Sequence, residues 1–123
     1  MTETYEFFPE NIRDKIASLR AAENQSDPIV WVKFFTPDAN WTWYVIEFDE
    51  QDLFFGLVEG FEVELGYFSL TELKTVRGPL GLRVERDIWF KPAKLSVIKE
   101  SISKRRNRLH RLSNLVIREL CAR

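Results

Sequence analysis

Two hydrophobic periods divide this chain, and their order limits what it can fold into. Between Ile29 and Leu65 the apolar residues come in short runs and alternations, whereas Leu95, Ile102, Leu109 and Val116 recur every seven residues. The first pattern fits pleated strands and the second a long helix with one apolar seam, which together imply an α+β fold.

The strand region separates into successive segments. Ile29–Phe35 is rich in β-branched and aromatic residues, and Thr36 to Asn40 supplies turn chemistry after it. Trp41–Phe48 and Leu53–Val58 flank the polar turn Asp49 to Asp52 and read as a hairpin. Phe61, Val63 and Leu65 alternate with Glu62 and Glu64, the period-two signature of a strand with one wet face. Arg86–Phe90 is a last short strand.

Helix signals surround these strands. Pro9 with Ile12, Ile16 and Leu19 predicts an amphipathic helix from Pro9 to Glu23. Ser69-Leu70-Thr71-Glu72 has capping-box spacing, so a short helix should run to Val76 and stop at Gly78-Pro79. Pro92 suits the first turn of the final helix, whose docking seam is Leu95, Ile98, Ile102, Leu109, Leu112 and Val116. Arg105 and Glu119 interrupt that seam, which favours packing on a sheet or a partner over a long autonomous coiled coil. The expected architecture is a mainly antiparallel sheet of four to five strands with an N-terminal helix, a short internal helix and a long C-terminal helix.

A chain of 123 residues fits one domain, and its apolar share of 45% with ten Phe and four Trp can oppose chain entropy without disulfides or metal. Cys121 is the sole cysteine, so no disulfide framework or cysteine-rich zinc site can form within one chain, and a cytoplasmic setting is expected. The acidic first residues lack a signal-peptide pattern, and no window supplies a membrane span, so neither secretion nor a membrane partner is expected. The net charge of −1 conceals a division: residues 1–93 carry −8 and residues 94–123 carry +7. An acidic α+β core therefore precedes a basic amphipathic helix, and the two can dock on each other or serve separate partners.

From Val32 to Pro92 the chain carries VKFFTPDANWTWYVIEFD, FGLVEG, ELGYFSLTEL and RGPLGLRVERDIWF, in that order. This series resembles the bacterial family called domain of unknown function 2958, small proteins often encoded on plasmids and other mobile elements. The resemblance implies a link to mobile-element maintenance or host defence and supplies no catalytic residues. The basic helix lies largely outside the shared motifs.

The chemistry-bearing residues are few. His110 is the only histidine and falls on the basic helix, so a multi-histidine metal site is excluded within one chain, and Cys121 has no base placed beside it. Pro37-Asp38 followed by Glu72-Leu73-Lys74 resembles the signature of metal-dependent nucleases, yet Glu72 and Lys74 fall on a predicted helix where those enzymes use a strand. Arg77, Arg83, Glu85, Arg86 and Asp87 read as architectural ion pairs. No catalytic residue, metal or cofactor is assigned.

Two surfaces remain. Aromatics are mostly core residues, but Trp41, Trp43 and Tyr44 lie on an alternating strand, and any left exposed would anchor a partner or stack on single-stranded nucleic acid. Lys104, Arg105, Arg106, Arg108 and Arg111 offer phosphate contacts, or else they pair with Glu47, Asp49, Glu62 and Glu64 of the acidic core. The expected function is a non-enzymatic interaction module that binds a protein partner or self-associates. Nucleic-acid binding through the basic helix is the alternative, and a metal-dependent nuclease is a third.

Overall fold

The computed structural model describes residues 5–121, with side chains to Leu120. The elements in order are α1 (Glu10–Arg13), β1 (Ala17–Ser18), β2 (Ile29–Val30), β3 (Val32–Phe35), β4 (Thr42–Phe48), β5 (Leu53–Glu59), β6 (Val63–Ser69), α2 (Leu70–Thr75), β7 (Glu85–Arg86), β8 (Ala93–Lys94) and α3 (Leu95–Cys121). The main sheet runs β6-β5-β4-β3-β7, antiparallel throughout, with β1 added in parallel to the end of β4. The α+β class and the mainly antiparallel sheet are as the sequence implies.

Three local differences have identifiable causes. The helix expected from Pro9 to Glu23 is cut to one turn, because β3 stops pairing with β4 at Val45 and leaves the backbone of Glu47 and Phe48 free for Ala17 and Ser18. The run Ile29–Phe35 changes partner at Trp31: Ile29 and Val30 pair with β8, while Val32–Phe35 pair with β4. The strand expected over Arg86–Phe90 ends at Arg86, since Asp87 takes the backbone N–H of Trp89 on its carboxylate and that of Phe90 on its carbonyl.

The beginning of α3 is fixed from outside the helix. Asp27 accepts the backbone N–H of Ser96 at 2.8 Å and its hydroxyl at 2.6 Å, supplying the cap that Lys94 cannot. These hydrogen bonds from Ser96 hold the Asp27 carboxyl below the usual carboxylate value. At α2 the serine half of the expected capping box is present, with Ser69 Oγ accepting the Glu72 N–H at 2.9 Å, while the Glu72 carboxylate makes no return bond to the Ser69 N–H.

Each face of the sheet carries its own core. Phe34, Trp43, Val45, Phe48, Phe54 and Phe68 form the first with α2, and Phe8 stands edge-on to Phe48 and Phe54. Tyr44, Ile46 and Leu57 form the second, onto which α3 lays Leu95, Ile98 and Ile102. At roughly 1.5–3 kcal/mol for each large apolar side chain removed from water, those three account for most of what docks the helix.

The docking seam extends no further. Leu109, Leu112 and Val116, expected to continue it, are more than half exposed, as are Leu115, Ile117 and Leu120. With 27 residues α3 is roughly 40 Å long, longer than the sheet face it crosses, so its second half has nothing beneath it.

Candidate functional site

The site is built where α3 leaves the sheet. On β5, Leu57 points toward α3, and period two places Glu59 on the same side at the strand's end. There Glu59 is only 4% exposed, and a carboxylate so buried requires compensation. Arg105 donates to Oε1 at 2.8 Å, and Arg106 Nε donates to Oε2 at 3.3 Å. Arg106 also reaches the carbonyls of Gly60 at 2.7 Å and Phe61 at 3.2 Å, so its planar fork grips the β5–β6 turn as well as the acid.

This arrangement is electrostatically closed. The hydrogen bond to Glu59 raises the Arg105 pKa above its ordinary value. Burial pushes the nearby Tyr44 hydroxyl up to about 12, with the negative charge of Glu59 contributing in the same direction. Around the pair runs a groove of about 810 Å³, whose lining includes Lys33, Trp41, Phe61, Arg105, Arg106 and Leu109.

The aromatic candidates divide by burial. Trp43 and Tyr44 belong to the two cores and present no surface to a partner; Trp41 is partly exposed. Its ring stacks on Trp43 at 6.1 Å and lies so close over Gly60 that a Cβ there would meet it, leaving mainly its edge outward. The bare ring is Phe61, 91% exposed at the β5–β6 turn and edge-on to Trp41 at 5.8 Å. Period-two reading had placed Phe61 inside a strand; the strand begins at Val63.

The five cationic candidates divide as well. Arg105 and Arg106 turn inward to Glu59, whereas Lys104 bridges Glu100 at 3.0 Å on the outer side. Arg108 and Arg111 pair with no carboxylate among the described residues, and with Lys104 and Asn107 they line a shallow depression of about 280 Å³. Of the acids expected as partners, Glu47 accepts the Ala22 N–H and Asp49 gathers the N–H groups of Gln51, Asp52 and Leu53, while Glu62 and Glu64 are exposed and pair with no cation among the described residues. Glu59 was the residue to find. Its signal was parity with Leu57 on a strand whose other charged neighbours lie in turns.

The nuclease-like residues serve the backbone. Asp38 Oδ2 accepts from Leu80 at 2.8 Å and Leu82 at 3.4 Å, and Oδ1 is buried against Gly78, where any side chain would displace it. Glu72 is exposed in the first turn of α2. Among the described residues no group of three or more His, Cys, Asp or Glu could hold a metal ion, and no helix is long and apolar enough to cross a membrane. His110 is exposed and meets Asn114 at 3.2 Å; the Cys121 side chain lies outside the described residues.

Comparison with curated proteins and with solved structures gives no match. A family model described as "Protein of unknown function (DUF2958)" matches residues 8–106, further at both ends than the motifs of Val32 to Pro92. It takes in the docked part of α3 and stops at Arg106, the last residue that grips the sheet. By that match the chain belongs to the DUF2958 family of proteins of unknown function.

Proposed function

We propose that this chain is a protein-interaction module that self-associates through the second half of α3. The observation that supports this is the run Leu109, Leu112, Leu115, Val116, Ile117 and Leu120, each between 52% and 67% exposed. At 3.6 residues per turn, Leu109, Leu112, Val116 and Leu120 continue the helix face that Leu95, Ile98 and Ile102 bury on the sheet.

An antiparallel arrangement of two such halves accounts for a second exposed group. The turns beyond Arg106 span about 22 Å, so the tip of one helix would reach the point where the other leaves its sheet. Phe61 stands at that point, its carbonyl held by Arg106. The basic second half of one helix would lie beside a body whose exposed acids include Glu62 and Glu64, so the charge division of the sequence favours a second copy as occupant. Half-burying the eight side chains of the two shared faces, four from each copy, yields about 6–12 kcal/mol against an association cost of about 4–15 kcal/mol, which describes a concentration-dependent dimer.

Size-exclusion chromatography with light scattering tests this reading. Dimer mass rising with concentration is expected for the native chain, and monomer at all concentrations for Leu112→Asp with Val116→Asp. A native chain that stays monomeric at high concentration refutes it.

A second reading, nucleic-acid binding, draws on the outward cluster Lys104, Arg108 and Arg111. It predicts a low-salt electrophoretic shift that fades with added salt and is lost on reversing these three charges. A cytoplasmic setting and a mobile-element role are compatible with either reading.

A further inference from the structure

A second cleft, on the α3 side of the sheet and separate from the Glu59 groove, is formed by a fault in β4. Register slips between Val45 and Glu47, a β-bulge that inserts Ile46. Without it, alternation would send Glu47 into the aromatic core shared by Val45 and Phe48. With it, Ile46 and Glu47 both line the cleft on the helix side, and Phe48 returns to the core.

Glu47 is 4% exposed and poorly compensated. Its Oε2 accepts the Ala22 N–H at 2.8 Å; no other described residue donates to it, and no described cation lies within ion-pair distance. A carboxylate offers about four acceptor positions, and with a single donor from the protein Glu47 keeps the others open to the cleft it lines. Glu59, equally buried, holds two guanidiniums, whereas Glu47 has no cation beside it among the described residues.

The cleft around Glu47 has a volume of about 440 Å³, within the roughly 300–1,000 Å³ typical of small-molecule sites. Phe55, Leu65, Tyr67 and Leu95 give it apolar and aromatic walls, while the exposed cations Arg20 and Lys99 and the exposed acid Glu23 complete its charged lining. Three chemistries therefore converge on one opening: an acceptor with free positions, flat apolar surface, and two cations against one acid toward solvent.

We propose that this cleft binds a small molecule with a planar, forked N–H donor head and an anionic end. The planar head donates to Glu47 and lies against Phe55 and Tyr67, and the anionic end meets Arg20 and Lys99. Two sources carry that chemistry: a guanine mononucleotide, whose base edge presents paired N–H donors, and free arginine, whose guanidinium does the same.

Calorimetric titration of the full chain with guanosine monophosphate and with L-arginine tests the site and distinguishes the sources. One of the two binds at millimolar concentration or below, and Glu47→Gln weakens it about tenfold, the effect expected for losing a charge-assisted hydrogen bond. Lys99→Glu, at an exposed position, weakens the probe that binds but spares its counterpart without the anion, guanosine or agmatine. If Glu47→Gln fails to fold, this contrast decides. Failure of both probes to bind the native chain, binding unchanged by Glu47→Gln, or equal weakening of charged and uncharged probes by Lys99→Glu overturns the proposal.

Discussion

Glu59 shows how one residue can determine what its neighbours are free to do. It draws two of the five clustered cations of α3 inward, and removing each partner should have a different cost. Arg105→Ala leaves the acid one guanidinium; Arg106→Ala also frees two turn carbonyls and should destabilise more, about 1–3 kcal/mol. The double variant leaves a buried carboxylate unpaired and should cost about 3–5 kcal/mol, more than the singles combined. Urea denaturation of the three variants checks the order, and equal losses for both singles would contradict the role given to the Arg106 fork. Tyr44 supplies a second measurement at this scale. Burial raises its folded pKa from the ordinary tyrosine value of 10.0 to about 12, so its contribution is complete below pH 10 and is lost as pH rises toward 12. Melting temperature should fall over that interval in the native chain and less steeply in Tyr44→Phe.

Among the elements, those defined by local pattern were legible and those that depend on a distant partner were not. The β4–β5 hairpin and the Ser69 cap follow from alternation and capping spacing, signals complete within a few residues. Ile12, Ile16 and Leu19 have helical spacing too, but a short helix is marginal by itself, and the open edge at Glu47–Phe48 claimed Ala17 and Ser18 instead. The seam of α3 is apolar as its spacing implies, yet nothing local to Leu109 or Val116 reveals that the helix's hold on the sheet ends at Arg106. Likewise the bulge that turns Glu47 toward its cleft has no glycine or proline on its own strand; its mark is Gly56 on β5, paired with Val45 at the slip, where a Cβ would meet the Tyr44 carbonyl. Elements held by single carboxylates should respond to acid. Hydrogen bonds from Ser96 lower the pKa of Asp27, and backbone hydrogen bonds, foremost that of Leu53, lower that of Asp49. Both stabilise fully above the ordinary carboxylate value of 3.8 and lose that contribution as pH falls through the lowered values. Asp27→Asn with Asp49→Asn should therefore flatten the melting temperature between pH 5 and pH 2 relative to the native chain, a contrast that circular dichroism can follow.

For the whole molecule, the division lies at Arg106, where the last contacts of α3 with the sheet and the family match both end. Up to that residue the helix belongs to the fold; beyond it six exposed apolar residues share the surface with Arg108, Arg111 and Arg118. A chain ending at Asn107 keeps Leu95, Ile98, Ile102 and both partners of Glu59, so it should fold with nearly the native melting temperature. It loses four cations and one carboxylate, which moves the net charge from −1 to −4. If the terminal turns are an association device, the truncated chain elutes as monomer where the native chain forms dimer, and its low-salt nucleic-acid shift weakens only as far as the lost arginines contribute. If they instead stabilise the body, truncation lowers the melting temperature by many degrees and exposes the α3 docking face to dye binding. Thermal melts and light scattering on the same preparation separate these outcomes, because the first changes mass without stability and the second changes stability whatever the mass.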